Sequence, residues 1–263
     1  MEPRRNLLRQ RLKEGQTAFG VAFHLRDPAI VEMVGLGGFD CVFIDQENYG
    51  LDLSAVEDLI RAAEVVGLCP MVRVPNLDSA AIRHALDFGA QAVVVPNIHT
   101  RKDAEEAVKF ARYRPMGERG ASPVSRAARY GAIDWETQMR IASEEVVLSV
   151  GVESRGGLEN IEEIAAVPGV DIVAIGPSDL AGTIGVSEPN DPKLRATVID
   201  IAAKIKKVGK ARLGFPYKHR MIDVTYQDLQ DWGVGYCNVG PLIERVILNH
   251  FKARMEELRG AAG

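Results

Sequence analysis

Short runs of apolar, β-branched residues alternate along the chain with longer stretches in which apolar positions return every third or fourth residue. The first pattern is that of a buried strand and the second that of an amphipathic helix, so the alternation reads as repeated βα units. Strands are predicted over Phe19–His24, Cys41–Asp45, Pro70–Val74, Ala92–Pro96, Leu148–Glu153, Ile172–Gly176, Arg212–Pro216 and Tyr236–Gly240. Helical spacing covers Leu53–Val66, Ser79–Phe88, Asp103–Arg112, Leu158–Ala166 and Leu194–Val208, and a last amphipathic helix runs from Leu242 to Leu258. This α/β pattern favours a (β/α)8 TIM barrel over the alternative, a doubly wound open sheet. The chain's 263 residues suit a single barrel domain spanning 1–263.

One segment breaks the rhythm. Tyr113–Ile133 is rich in Gly, Pro and Arg, with Arg114, Arg119, Arg126 and Arg129, and loops of this length in compact domains are commonly functional or interfacial. Its arginines suit an anion, a neighbouring subunit, or simply solvent.

Composition narrows the function classes. Hydrophobic residues at 46% and charged residues at 26% are globular averages, and no apolar run approaches the ~20 residues that cross a bilayer. A role in the membrane is therefore not expected. The basic, polar start Met1–Lys13 lacks the apolar core of a secretion signal, which points to the cytoplasm. Cys41, Cys69 and Cys237 lie at or inside apolar strand runs without metal-ligand spacing, so they read as buried thiols. The formal charge is −4, with Lys and Arg interspersed among Asp and Glu, and nucleic acid is not an expected partner.

Barrel enzymes build their sites at the carboxyl ends of the strands. There the sequence sets His24, Asp45, Glu47, Asn48, Arg73, Glu153, Ser178, Asp179, Tyr217 and Lys218. Glu153 and Asp179 end neighbouring strands. Two such carboxylates suit one hard divalent cation, Mg2+ or Mn2+ with Co2+ as a further candidate, and leave positions for a 2-keto acid. The competing reading pairs Glu153 with an arginine and lets Asp179 cap the helix opened by Pro177. Arg73 is costly at the end of an apolar strand unless it is used. It suits a developing enolate oxygen, or an ion pair with Asp45 or Glu47. The free N–H groups of Ser178 and Asp179 suit a carboxylate. GxGxxG, P-loop, GxSxG and CxxC patterns are all missing from the expected places, and a Schiff-base route would rest on Lys218.

The runs FDCVFIDQEN, PMVRVPN, GAQAVVVPNI, ARYRPMGERG, RAARYG, VGVES and GVDIVAIGPSDLAGTIG resemble, in order and spacing, the HpcH/HpaI family of class II, metal-dependent 2-keto-acid aldolases. The resemblance implies a TIM barrel, a divalent metal, and aldol or retro-aldol chemistry on a 4-hydroxy-2-keto acid that releases pyruvate or a similar keto acid. It also implies a homo-oligomer, a hexamer in which a carboxyl-terminal helix at about 241–259 is exchanged. By position, Glu153 and Asp179 look like metal ligands, Arg73 like the enolate stabiliser, and Asp45 and Asp87 like carboxylates that orient the base. Ser178, Asp179, Gly151, Gly176 and Arg26 fall where substrate would be held.

The chain departs from that pattern at one decisive place. The family reads Asp-x-Glu-His after the second strand, whereas this chain has Asp45-Gln46-Glu47-Asn48, and asparagine accepts no proton at neutral pH. Gly151 also replaces the usual glutamine. The expected substitute for the missing base is His24, the histidine that the strand reading sets at the barrel mouth; His84, His99, His219 and His250 are assigned to helices or outer loops. The expectation is thus a carbon–carbon lyase with an atypical base. The alternatives are a metal-dependent 2-keto-acid decarboxylase that needs no such base and a catalytically silent keto-acid-binding protein. Survival of both metal carboxylates and Arg73 argues against the last.

Overall fold

The computed structural model describes residues 5–240 and 243–260. Eight parallel strands close in sequence order into a barrel: β1 (Ala18–Phe23), β2 (Cys41–Asp45), β3 (Cys69–Arg73), β4 (Ala92–Val95), β5 (Val147–Gly151), β6 (Ile172–Ala174), β7 (Arg212–Gly214) and β8 (Val234–Asn238). The helices of the described residues are α1 (Leu7–Lys13), α2 (Pro28–Leu36), α3 (Leu53–Val65), α4 (Ser79–Phe88), α5 (Arg101–Ala111), α6 (Trp135–Glu145), α7 (Arg155–Glu159), α8 (Ile161–Ala165), α9 (Pro177–Ile184), α10 (Pro192–Val208), α11 (Tyr226–Asp231) and α12 (Ile243–Gly260). The closed barrel rules out the open sheet. Most predicted strands overshoot the observed ones at the carboxyl end, and the overshoot is where the polar residues sit.

The core has two parts. A large cluster of Val, Ile and Leu fills the layer between strands and helices, with Val42, Val72, Val93, Leu148 and Val173 packed against Val56, Ile60, Ile82, Ile164 and Ile205. A smaller cluster fills the barrel itself: Ala18, Cys41, Cys69, Met71, Ala92, Val94, Val147, Ile172 and Tyr236. All three cysteines are free and buried, as expected.

Leu8 of α1 belongs to the inner cluster and is fully buried, so α1 plugs the amino-terminal end of the barrel. Asn6 caps that helix by accepting from the Arg9 N–H, and its amide donates to the Gln91 and Glu145 carbonyls. Arg9 and Arg112 both pair with Asp171, whose carboxylate also accepts the Leu148 N–H. The bottom of the barrel is thereby closed with paired charges. Among the described residues, the opposite end holds the open cavity between the strand ends.

The irregular segment 113–133 is tied inward. Arg119 pairs with Asp87 at 2.6 Å and lies over the Tyr113 ring, while Arg126 pairs with Glu64 and donates to the Phe88 carbonyl. These two arginines are engaged within the outer layer, so neither an anion nor a neighbouring subunit is needed to account for them. The terminal helix is described from Ile243, since 241 and 242 lie outside the described residues. None of its residues is buried, and Val246, Ile247, Leu248, Phe251, Met255 and Leu258 are exposed. No helix among the described residues is long and apolar enough to cross a membrane.

Candidate active site

A cavity of about 230 Å3 occupies the carboxyl-terminal mouth, lined by Phe43, Arg73, Val94, Pro96, Gly151, Glu153, Ala174, Gly176, Pro177, Phe215, His219, Tyr236 and Asn238 among others. One wall is an ion-pair cluster built on strand register. Asp45 and Arg73 are partners across β2 and β3. Arg73 Nε donates to Asp45 Oδ1 at 2.8 Å and Nη2 to Oδ2 at 2.5 Å, while Nη1 reaches Glu47 Oε2 at 2.8 Å. Asp45 also accepts the Glu47 N–H, and Asn97 donates to Glu47. Burial works against the guanidinium charge, yet the hydrogen bonds and charges of Asp45, then Glu47 and Glu153, leave its pKa above the ordinary value. Arg73 is therefore a fixed cation with its fork held in one plane.

The opposite wall carries Glu153 and Asp179. Gly176, at the start of α9, lies between them. A β-carbon there would overlap Glu153 Oε1, lie 3.0 Å from its Cδ, and stand 3.5 Å from Asp179 Oδ2. Glycine is what lets the two carboxylates converge. No side chain caps α9, so the capping reading of Asp179 does not account for it. Burial first and the charge of Asp179 second push Glu153 up to about 7, with Arg73 pulling the other way. The mouth thus gathers four carboxylates, Asp45, Glu47, Glu153 and Asp179, around the guanidinium of Arg73. Such a set lacks positive charge. No group of three His, Cys, Asp or Glu side chains suited to a metal occurs among the described residues. Two carboxylates with open positions nonetheless fit Mg2+ or Mn2+, which keep waters and bind through one or two carboxylates plus ligand oxygens.

The two histidines near the mouth are held in opposite senses. His24 stacks on Tyr49, its Nδ1 lies 3.5 Å from Glu244 Oε1, and the charges of Asp45 and Arg73 reach it. Burial lowers its pKa in spite of Glu244. The carboxylate draws the proton to Nδ1 and leaves Nε2 as an acceptor. His219 Nδ1 accepts the Met221 N–H at 3.2 Å, which leaves the proton on Nε2, 3.4 Å from Ser178 Oγ. His24 stands at the rim, while His219 lines the cavity. The assignment of His219 to an outer loop is corrected: two residues beyond the Tyr217 bridge to β8, the chain folds back through a His219–Ile222 bridge into the mouth.

Other expected residues fall elsewhere. Arg26 is on the surface, paired with Asp52 and Gly50, and does not line the cavity. Asn48 is exposed. Asp87 is committed to Arg119 in the outer layer. Gly151 and Gly176 do line the cavity, with Ser178 hydrogen-bonded to its His219 wall. Lys218 is exposed over the Tyr217 ring, outside the central cavity, which leaves the Schiff-base route without its amine.

Residues 19–228 match the HpcH/HpaI aldolase/citrate lyase family. The chain belongs to that family. It is 36% identical over 208 residues to the hydroxypyruvate/pyruvate aldolase of Roseobacter denitrificans, covering 78% of this chain and 80% of the relative. It is 33% identical over 199 residues to the 2-dehydro-3,6-dideoxy-6-sulfogluconate aldolase of Pseudomonas putida, covering 75% and 77% respectively. The crystal structure of an HpcH/HpaI family protein from Burkholderia cenocepacia J2315 superposes with a TM-score of 0.85 at 28% identity, over 97% of this chain and all of the other. Membership in the HpcH/HpaI family makes the chain an enzyme of the aldolase type, a carbon–carbon lyase.

The convergence at Gly176 gives a direct test. Gly176→Ala leaves a backbone of ordinary φ but drives the Glu153 carboxylate away. With a ~1 Å misplacement costing ~100-fold, kcat/KM for keto-acid cleavage should fall by about that factor at unchanged thermal stability; wild-type turnover in this variant would show that the two carboxylates need not converge.

Proposed function

We propose that this enzyme cleaves a 4-hydroxy-2-keto acid into pyruvate, or a similar keto acid, and an aldehyde, with a divalent cation held by Glu153 and Asp179. The observation that carries the reading is the cavity in which two converging carboxylates face a fixed guanidinium. When bound, Mg2+ or Mn2+ polarises the keto oxygen and supplies the positive charge that the carboxylates lack. The backbone N–H groups of Ser178 and Asp179, at the free start of α9, donate to the substrate carboxylate. His24 Nε2 removes the proton from the C4 hydroxyl. The C3–C4 bond then breaks, C4 becomes the aldehyde carbon, and the electron pair delocalises over C3, C2 and the keto oxygen. Arg73, held flat by Asp45 and Glu47, donates to that oxygen as it gains charge. Return of a proton to C3 completes the keto acid.

The governing experiment measures turnover of 4-hydroxy-2-keto acids and of oxaloacetate with and without Mg2+ or Mn2+. Glu153→Gln and Asp179→Asn should each abolish metal-dependent turnover and weaken Mn2+ binding while the circular dichroism stays native. Either variant with wild-type metal affinity and rate would sink the assignment.

His24 replaces the base that Asn48 removes. His24→Ala should lose ~100-fold or more in kcat, the general-base range, and Asn48→His should restore part of it. A near-normal kcat with only KM raised would make His24 a binding residue.

The apolar face of α12 belongs against a second copy of the chain. Phe251, Leu258 and Val246 are each more than half exposed, more apolar surface than one helix ordinarily leaves in water. Sedimentation should show a species well above 28.7 kDa, with a hexamer the expected state; a monomer at micromolar concentration refutes it.

A further inference from the structure

Among the described residues, His219 is the histidine in the wall of the mouth cavity, and the proposed chemistry leaves it unused. It reaches the mouth on a turn fixed at both ends. The Tyr217 N–H donates to the Asn238 carbonyl and the Gly240 N–H to the Tyr217 carbonyl, which ties the turn to the end of β8. Met221 and Ile222 are buried, the Ile222 N–H donates to the His219 carbonyl, and the Met221 carbonyl accepts the Asn190 N–H. Between these anchors Lys218 takes a left-handed backbone at φ 55°, which costs a non-glycine residue energy and persists where the surroundings impose it. The imidazole is fixed as well. With Nδ1 accepting the Met221 N–H, a proton on Nδ1 would face another hydrogen, so the ring stays neutral and Nε2 keeps its own. Burial and the charge of Arg220 lower its pKa in spite of Asp179, a shift that also favours the neutral ring.

We infer that His219 is a substrate-binding residue, a neutral donor whose Nε2–H reaches the substrate carboxylate at the start of α9. The inference rests on the proposed lyase reading, which puts that carboxylate on the N–H groups of Ser178 and Asp179. Nε2 stands 3.4 Å from Ser178 Oγ, longer than the ~2.7–3.2 Å of a well-formed N–H···O bond, so the donor is turned toward the first turn of α9 but loosely held there. A carboxylate oxygen on the same turn offers it a stronger, charge-assisted acceptor. Neutrality has a use here. On the same reading the mouth takes a divalent cation at Glu153 and Asp179; an imidazolium would repel that cation, whereas a locked Nε2–H adds a hydrogen bond without adding charge. The substrate carboxylate keeps its charge from bound substrate to transition state, so this donor governs binding and leaves the chemical step alone.

The test uses pyruvate as the probe, with the whole enzyme and Mg2+, and compares substitutions of similar shape. His219→Gln keeps an amide N–H near the Nε2 position, whereas His219→Met has no donor; His219→Leu is a second donor-free variant, so the comparison does not hang on one substitution. Calorimetry reads pyruvate affinity, and metal-dependent exchange of pyruvate C3 hydrogens in D2O reads KM and kcat. The donor-free variants should weaken pyruvate binding and raise KM by about ten-fold or more, the loss typical of a hydrogen bond to a charged group, with kcat for exchange within about two-fold of wild type. His219→Gln should regain most of the affinity. Wild-type affinity without a donor, or a loss in His219→Gln as large as in His219→Met, overturns the donor role. A fall in kcat at unchanged KM puts the donor on the keto oxygen and overturns the assignment to the carboxylate. Any of these results with exchange intact in the wild type refutes the inference alone, and absence of wild-type exchange refutes the lyase reading together with it.

Discussion

Everything at the mouth depends on a deficit of positive charge. Asp45, Glu47, Glu153 and Asp179 crowd a partly desolvated space in which Arg73 is the permanent cation that faces them. Strand register commits Arg73 to Asp45, with Glu47 on its third nitrogen, and its charge offsets only part of the burial cost on the far wall. Burying uncompensated carboxylates is expensive, and the upward displacement of Glu153 expresses that cost. On the proposed reading, a divalent cation at Glu153 and Asp179 would offset part of that deficit before a substrate carboxylate arrives.

The scaffold makes such a site tolerable by keeping it at one end. Helix α1 and the Arg9–Asp171–Arg112 pairs close the bottom, and the inner cluster of Met71, Val94 and Ile172 is apolar. Stability is gathered in the lower barrel, while the polar groups begin where the strands stop. Gly176 sits on that boundary. Its missing side chain is required by the close approach of Glu153 rather than by its backbone angles, so its function is to make room.

Much of this architecture is legible from pattern. Strand periodicity locates the barrel and the strand ends, and the residue types there point to Glu153, Asp179 and Arg73. Periodicity carries no information about the loops beyond the strand ends. β7 stops at Gly214, and the chain returns to the mouth through isolated bridges, Tyr217 to Val239 and His219 to Ile222, which have no repeating signature. Strand pattern therefore misses His219, although the density of polar residues in Tyr217–Arg220 directly after a strand is a usable signal. Arg26 escapes for a related reason: shortly past the end of a strand a side chain can turn out as well as in, and Asp52 captures it outside. Asp87 enters through resemblance, and its position on α4 opposite Arg119 is not readable from spacing.

On the proposed reading, the proton acceptor stands at the end of β1 instead of in the loop after β2, which changes what orients it. His24 depends on Glu244, which both accepts its backbone N–H and faces its Nδ1. Glu244 stands in the first turn of α12, a helix with no buried residue. A contact on the apolar face of α12 would also restrain Glu244, and through it the tautomer of His24. The same turn carries Arg245, which lines a cavity adjoining the mouth. On the proposed reading, ordering α12 therefore acts on the group that takes the hydroxyl proton, although α12 itself contributes no buried residue.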